Sequence, residues 1–271
     1  GATMTICWEG GYDHRYKLYP QYKQSRRKRN AAIQDDIILI TLNDQEKILK
    51  GLLRLAGWRQ AWAPGFEADD VMAGLAHESR TLTAIYTGDH DLHQCVTEYV
   101  HVLSPNPSRK KKKREVIVWD LKAVIDKWTV PPLRIPEAKA LAGDSSDNIP
   151  GCPGVGEVWA QKLLALEPDI EALLDKARTV CAASEPLEGF HKDKPWKSER
   201  IPNLLVQNED SILMSQILAT VVRDCPIQYL EADSDFKALV EAFRSLKFAS
   251  LLRPTVFHSI KTLSQGGGLR C

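Results

Sequence analysis

Two kinds of hydrophobic spacing divide the chain. In its first half, short apolar and β-prone runs predict strands that alternate with amphipathic segments of helical period. The strand-like runs lie at 3–8, 82–86, 99–103 and 115–119. The helical segments lie at 44–55, 71–76, 120–128, 170–180, 208–222 and 236–252. Strands alternating with helices are typical of an α/β fold, and the second half of the chain is predicted to be helical.

Carboxylates follow several of these elements. Glu9 comes directly after the first strand, and Asp89 and Asp91 follow the strand at 82–86. Ligands bind at the carboxyl ends of strands in open α/β sheets, so these acids suit a metal site, and simple helix capping is the alternative. Three further acids precede the helix at 71–76, namely Glu67, Asp69 and Asp70. Capping explains one of these three, whereas a bound cation explains all three together.

The segment at 141–164 has one half that could bind a metal ion and another half that could bind a phosphate. Asp144 and Asp147 are three residues apart, so on a helix both carboxylates would face the same cation. After a turn rich in proline and glycine, Gly154-Val155-Gly156 opens a helix whose free N–H groups suit a phosphate oxygen, with Lys162 about two turns along. A surface helix-turn-helix with solvated acids is the alternative.

Charge is unevenly distributed, although the formal net charge is only +1. Basic blocks occupy 22–29 and 109–114, and the stretch 12–29 mixes cations with tyrosines. Aromatic rings stack on unpaired bases and cations meet phosphates, so this pattern suits a nucleic-acid partner. A solvated basic surface is the alternative for both blocks.

Composition excludes several classes of protein. No apolar run approaches the length of a membrane span and no secretory signal is evident, so we expect a cytosolic protein without a membrane partner. The 6 cysteines form no Cys-x-x-Cys pair and are expected to be reduced thiols. No Ser-His-Asp set and no Gly-Lys-Ser/Thr phosphate loop offers another mechanism.

The segment GDSSDNIPG at 143–151, followed by GVG and an apolar helix, resembles the helix-three-turn-helix motif of the 5′ nucleases. This family comprises flap endonucleases, phage 5′-3′ exonucleases and the 5′-nuclease domain of bacterial DNA polymerase I. Tyr22-Lys23-Gln24-Ser25-Arg26 is similar to the family's Tyr-Lys-x-x-Arg element at the base of a helical arch. The order and spacing of the acids are similar to the family pattern across nearly the whole chain.

The resemblance implies a complete architecture. It is an α/β fold with a mostly parallel central sheet, helices on both faces, a helical arch, and an all-α C-terminal part that contains the helix-three-turn-helix. The nuclease domain would span 1–130, with the basic arch at about 16–60. The helical DNA-binding region would span 131–271.

The resemblance also assigns roles to matching positions. Lys23 and Arg26 would steer or polarise the scissile phosphate. One metal ion would be bound by Glu67, Asp69 and Asp89, and a second by Asp91, Asp144 and Asp147, with Asp70 and Glu9 in support. DNA contacts would come from Tyr22, Arg27, Lys28, Arg29, Gly154, Val155, Gly156 and Lys162. The ions would be two Mg²⁺ or Mn²⁺, and a K⁺ ion would be held by carbonyls of the glycine turn.

The expected activity is metal-dependent hydrolysis of DNA from 5′ ends and cleavage at 5′ flaps or branches by a two-metal mechanism. We expect a monomer that acts in the cytoplasm, or in the host cytoplasm if a phage encodes it. A catalytically impaired module that binds branched DNA, and a related RNase, are the alternatives.

The sequence departs from the family pattern at two points. The family normally opens with a strand ending in Val-Asp-Gly, and no such segment precedes Gly1. A trimmed chain, missing residues and weakened catalysis all stay open as explanations. Glu9 stands where the family usually has Asp, and Glu is a longer but chemically equivalent ligand.

Overall fold

The computed structural model describes residues 3–26, 28, 36–106, 115–182, 200–230 and 232–264, without the side chains of 36–41 and 263–264. The strands are β1 (Thr5–Cys7), β2 (Arg59–Trp62), β3 (Thr83–Tyr86), β4 (Val100–Pro105), β5 (Val116–Trp119) and β6 (Gln228–Leu230). The α-helices with stated bounds are α1 (Asp13–Leu18), α2 (Asp36–Leu55), α3 (Ala68–Glu78), α4 (Leu121–Trp128), α5 (Ile135–Ala142), α6 (Glu157–Leu164), α7 (Ile170–Ala182), α8 (Arg200–Gln207), α9 (Glu209–Ala219), α10 (Phe236–Ser245) and α11 (Pro254–Ser264). Short 3-10 helices lie at Asp91–Cys95, Pro132–Arg134 and Ala249–Leu252.

The chain divides into two compact units, each assembled from separate stretches of sequence. The first comprises Gly1–Asp13, Asn30–Val71 and Asp224–Cys271, and the second comprises His14–Arg29 and Met72–Arg223. The predicted domain boundary near residue 130 stays a prediction. Within the described part of the chain, no helix is both long enough and apolar enough to cross a membrane.

A three-stranded sheet organises the first unit. β2 lies at its centre, parallel to β1 and antiparallel to β6. Ala61 of β2 pairs with Cys7 on one side and Tyr229 on the other, and its side chain is fully buried. The central strand therefore carries the most buried positions of this sheet, as expected for a strand with neighbours on both edges.

A small apolar core holds the helices of the first unit together. Ala56, which follows α2, is buried together with Leu239 and Phe243 of α10. α2 begins at Asp36, before the predicted start at residue 44, because the apolar run that precedes residue 44 continues the helix. Only the C-terminal part of this helix belongs to the predicted scaffold segment.

The second unit is built on the other three-stranded sheet. β4 is its central strand, parallel to β3 and antiparallel to β5, and Val102 pairs with Ile85 and with Trp119. β4 and β5 match the strand-like runs at 99–103 and 115–119, and the basic block at 109–114 between them lies outside the described residues. Helices cover a large apolar cluster that includes Leu92, Val102, Ile135, Leu141, Leu163, Leu173, Leu205 and Ile212.

The α/β class and the helical character of the second half of the chain are confirmed. Where the sequence predicts one mostly parallel sheet, the described strands form two sheets, each with one parallel and one antiparallel pair. β6 was not predicted because a strand of three residues shows no alternating pattern to detect. The predicted helix at 236–252 ends at Ser245, since Lys247 adopts a φ of +57°, and continues as a 3-10 turn.

Candidate active site

A glycine corner follows α5 and fixes the turn that carries two of the predicted ligands. Gly143 ends the helix with a φ of +77°, and Gly151 has a φ of +65°. A Cβ atom on Gly151 would lie 2.3 Å from the backbone nitrogen of Gly143, so only glycine fits there. Between them, Asp144 and Ile149 exchange backbone hydrogen bonds of 2.9 and 2.8 Å. These hydrogen bonds close the base of the loop and hold in place the turn that carries Asp144 and Asp147.

Asp144 is held as a carboxylate by its neighbours. The backbone N–H and hydroxyl of Ser146 donate to its Oδ1 at 2.8 and 2.6 Å, and Lys139 Nζ donates to its Oδ2 at 2.7 Å. Burial alone would raise the pKa of Asp144, but these donors and the Lys139 charge lower it from 3.8 to about 2. Asp144 is therefore ionised at neutral pH.

Lys139 of α5 joins Asp144 to the acids that follow β3. Its ammonium also pairs with Asp91, and these carboxylates and the ammonium are each less than one-fifth exposed. Asp91 in turn donates its backbone N–H to Asp89 Oδ1 at 2.9 Å. Burial raises the pKa of Asp91 in spite of the Lys139 charge, and the two carboxylates raise the pKa of Lys139 against its own burial. One cation is thus shared by two carboxylates from different elements.

Asp147 faces a different set of partners. Its Oδ2 accepts a hydrogen bond from the Tyr22 hydroxyl at 3.1 Å and lies 3.7 Å from Lys23 Nζ, while its Oδ1 lies 2.8 Å from Arg26 Nη2. The backbone N–H of Lys23 donates to the Asp147 carbonyl oxygen at 2.9 Å. The predicted catalytic pair and a predicted metal ligand, distant in sequence, therefore meet at one point.

Lys23 holds a strained backbone at this meeting point. Its φ is +53°, a left-handed conformation that costs a non-glycine residue roughly 1–2 kcal/mol. The residue is nevertheless buried, with its backbone and its side chain both directed to Asp147. Strain of this kind is typical of residues that function requires in one position.

The prediction that Asp144 and Asp147 lie on one face of a helix is wrong, while their binding of one cation stays a prediction. Both lie on the turn after α5, because Gly143 ends that helix. Asp144 pairs with Lys139, and Asp147 pairs with Lys23 and Arg26. The turn therefore directs the two carboxylates to different cations.

The acids of the first unit gather where α3 begins. Glu9 Oε2 accepts a hydrogen bond from the Ala68 backbone N–H at 3.3 Å, and Asp70 Oδ2 accepts one from the Glu67 backbone N–H at 3.1 Å. Glu67 and Asp70 are buried. Burial raises the pKa of the Cys7 thiol to about 12, and the charge of Asp69 contributes to the same shift. Two of these carboxylates thus serve as caps of the helix start.

The donor set of the second unit fits a hard divalent cation. Two carboxylates already converge on one positive charge at Lys139, and carboxylate oxygens are the ligands that Mg²⁺ and Mn²⁺ prefer. In the described part of the chain, however, no three His, Cys, Asp or Glu side chains are arranged to hold a metal as they stand. The prediction that all eight acids share one site stays a prediction.

The acids of the second unit open into a cleft of ≈ 790 Å³. Its lining includes four predicted metal ligands, namely Asp89, Asp91, Asp144 and Asp147. Lys139 lies among them, and Lys127 and Trp128 of α4 line the same cleft together with His90. The cleft therefore combines concentrated negative charge with a basic and aromatic wall.

The predicted DNA-binding residues have different surroundings. Val155 is buried, so only its backbone is available to a ligand, whereas a Cβ on Gly156 would meet open space. The Nζ of Lys162 lies 5.2 Å from the ring centroid of Trp159, in the first turn of α6. Lys28 is exposed, and Arg27 and Arg29 lie outside the described residues.

Sequence reasoning missed Lys139 and Lys127. Lys139 lies on α5, before the acidic turn, and Lys127 lies in the last turn of α4. No sequence motif marks either residue. Only one signal was available for Lys139, namely a lone cation on the helix that runs into the acidic turn. His93 was expected to be a packing or a solvent-facing residue, and it is fully buried.

Two family models match the chain in succession. The model described as 5′-3′ exonuclease, N-terminal resolvase-like domain, matches residues 2–129. The model described as 5′-3′ exonuclease, C-terminal SAM fold, matches residues 130–241.

Curated relatives include DNA polymerases I of several bacteria. The thermostable DNA polymerase I of Thermus filiformis is 32% identical over 251 residues, which cover 88% of this chain and 26% of that protein. DNA polymerase I of Mycobacterium tuberculosis is 31% identical over 216 residues, which cover 79% of this chain and 21% of that protein. The chain thus spans about a quarter of the length of these relatives.

Solved structures share the fold. The 5′-exonuclease of bacteriophage T5 with bound zinc ions has a TM-score of 0.61 at 17% identity, covering 98% of this chain and 84% of that one. The catalytic core of Rad2 in complex with a DNA substrate has a TM-score of 0.53 at 17% identity, covering 89% of this chain and 73% of that one. At such identity the likeness establishes the fold alone.

Proposed function

Because this chain belongs to the 5′-3′ exonuclease family, we propose that it hydrolyses DNA phosphodiester bonds at 5′ ends and at 5′ flaps. The observation that carries the proposal is the contact of Lys23 and Arg26 with Asp147, a carboxylate that lines the same cleft as Asp91 and Asp144. Cations for a phosphate and carboxylates for metal ions stand side by side there. This is the pair of functions that phosphodiester hydrolysis requires.

The carboxylates of the cleft would hold Mg²⁺ or Mn²⁺. Asp91 and Asp144 would bind an ion at the place where the Lys139 ammonium now lies, with Asp89 and Asp147 beside them. When bound, such ions activate water and neutralise charge on the reacting phosphate. The low pKa of Asp144 supports this role because a metal ligand must be ionised.

Lys23 and Arg26 would bind the scissile phosphate. Both cations now neutralise Asp147, with Lys23 buried and the Arg26 side chain 44% exposed. Two cations held on one carboxylate remain able to attract a second anion, because an ion pair of this kind leaves positive charge in excess. Tyr22 would hold Asp147 in place through its hydroxyl while the cations engage the substrate.

Several finer features belong to the same proposal. A count of two ions and the participation of Glu9, Glu67, Asp69 and Asp70 follow from the family resemblance, as does a K⁺ ion at the glycine corner. DNA would enter along the glycine turn and the basic segment that contains Lys28. We expect the protein to act as a monomer in the cytoplasm.

A 5′-labelled flap duplex tests the proposal directly. We expect short labelled products with Mg²⁺ and none with EDTA, and Asp144→Asn should abolish cleavage while changing flap affinity by less than about tenfold, because it removes a ligand and some repulsion. Asp126→Asn is the matched control, since Asp126 lies on the exposed surface of α4 and pairs only with Lys122 among the contacts described for it.

The other outcomes identify the alternatives. Binding without any product in Mg²⁺ or Mn²⁺ would show a catalytically impaired module for branched DNA. Cleavage confined to a flap with an RNA 5′ strand would show an RNase. Equal loss of binding and cleavage in Asp144→Asn would make that carboxylate structural.

A further inference from the structure

A basic and aromatic group lines the same cleft as the acids. Lys127, in the last turn of α4, has its Nζ 2.7 Å from His90 Nδ1. The same ammonium lies 4.9 Å from the ring centroid of Trp119 and 5.6 Å from that of Trp128. Two indole faces and an imidazole therefore hold one cation at the edge of the cleft.

The orientation of this cation is set by a row of rings. An ammonium has only donors, so His90 Nδ1 accepts its hydrogen bond and the ring is neutral. The His93 ring centroid lies 4.8 Å from that of His90, and His93 Nδ1 accepts a hydrogen bond from Trp128 Nε1 at 2.9 Å. His93 is fully buried, so its ring is held in place by its neighbours. The row Trp128, His93, His90 thus presents an acceptor to Lys127.

Lys127 has no carboxylate of its own within ion-pair distance among the contacts that the described residues make. By contrast, Lys139 of the same cleft pairs with Asp91 and Asp144. Glu157 acts on Lys127 only as a more distant charge. A cation that is partly desolvated and lacks a close counter-ion is poised to take an anion from outside the chain.

We propose that Lys127 binds a non-scissile phosphodiester group of the DNA strand in the cleft, and that His90 is the residue that positions its ammonium. The proposal rests on the proposed function, which supplies the polyanionic ligand. The acids and their bound ions would engage the scissile phosphate, so Lys127 beside them is left for a neighbouring phosphate of the same strand. Lys127 would then fix the register of the strand in the cleft.

Neutral phosphate analogues test this contact position by position. A series of flap duplexes, each with one methylphosphonate, would be bound to wild-type protein and to Lys127→Met in Ca²⁺, with affinity read by fluorescence anisotropy. In wild type, one position should weaken binding by about tenfold, because one charge-assisted hydrogen bond is lost there. In Lys127→Met, a methylphosphonate at that position should weaken binding by less than about twofold, because the substitution and the methylphosphonate remove the same contact.

Matched variants separate charge from folding. Lys122→Met lies on the same helix, with an exposed side chain paired to Asp126, and should keep the wild-type profile. Lys127→Arg should keep the sensitive position, so a folding defect in Lys127→Met would not hide the answer. His90→Phe keeps an aromatic ring but removes the acceptor, and should reduce the effect at that position to below about threefold.

Two results would overturn the assignment. One is a Lys127→Met protein that keeps the full sensitivity at every position sensitive in wild type. The other is a wild-type profile with no sensitive position. An unchanged profile in His90→Phe would remove the positioning role. Because affinity is measured without cleavage, a protein that binds in this register but makes no product in Mg²⁺ would contradict the proposed hydrolysis and not this contact.

Discussion

Replacing Lys139 by methionine removes the cation that Asp91 and Asp144 share. Methionine is similar in length to the aliphatic part of lysine, so the packing of α5 changes little. The two carboxylates then face each other without the ammonium between them. We expect the metal-free protein to lose stability and the affinity for divalent ions to rise, since no built-in cation competes for the carboxylates.

The size of the loss follows from the pKa of Asp144. It falls from 3.8 to about 2, which corresponds to roughly 2 kcal/mol of stability at 1.36 kcal/mol per pKa unit, and Lys139 supplies part of this beside the Ser146 donors. The pair is little exposed, with 12% of Lys139 and 17% of Asp144 accessible, so solvent screening removes only part of this. A carboxylate with a lowered pKa stabilises the fold above pH 3.8, and that contribution disappears as the pH falls toward 2. Since Asp91 also loses its partner, the total loss at pH 7 should be roughly 2–4 kcal/mol.

Urea unfolding at pH 7 measures this loss. In EDTA, Lys139→Met should unfold at lower urea than wild type, and saturating Mg²⁺ should narrow the gap because the ion replaces the ammonium. Lys122→Met, which breaks an exposed pair, should be indistinguishable from wild type in both conditions. Equal stability of Lys139→Met and wild type in EDTA would show that the ammonium does not hold the acids together. A gap that Mg²⁺ leaves unchanged would show that they are not a cation site.

Two further substitutions test the catalytic pair and the glycine corner. Lys23→Gly and Lys23→Ala both lose the contact with Asp147, so the glycine variant should be more stable than the alanine variant by about 1 kcal/mol, because only glycine relieves the φ of +53°. Both should lower the cleavage rate at least about tenfold, and a wild-type rate in both would remove this cation from catalysis. Gly151→Ala should lower the free energy of unfolding in urea by about 3 kcal/mol or more, because its Cβ would lie 2.3 Å from the Gly143 backbone nitrogen. Gly51→Ala in α2 is the control, since a Cβ there has nothing within 4 Å, and it should raise that free energy by about 0.5 kcal/mol. An unaffected Gly151→Ala would contradict the close approach at the corner.

Much of the candidate site could be predicted because its residues lie next to helices and strands that the local sequence pattern identifies. The acids after β3 and the acidic turn after α5 stand next to elements whose periodicity is clear, so their place at element ends follows from counting. The meeting of Tyr22 with Asp147 is different, because the residues are 125 positions apart. Only the family resemblance connected them, and no spacing rule could.

The wrong prediction has a simple physical origin. Spacing of three residues places two carboxylates on one face only if the helix continues through both, and Gly143 ends α5 just before Asp144. Lys139 was missed for a related reason, since its meeting with Asp91 depends on tertiary packing of α5 against the turn after β3. Pairings across elements carry no signal in a single sequence.

The central claim is that Asp91 and Asp144 bind one divalent ion, and Mn²⁺ titration by calorimetry tests it most directly. Asp91→Asn and Asp144→Asn should each weaken one Mn²⁺ site by at least about tenfold, and the double variant should be little worse than the weaker single one, because the two ligands share the ion. Wild-type Mn²⁺ affinity in both single variants, with protein that still unfolds cooperatively, would contradict the account.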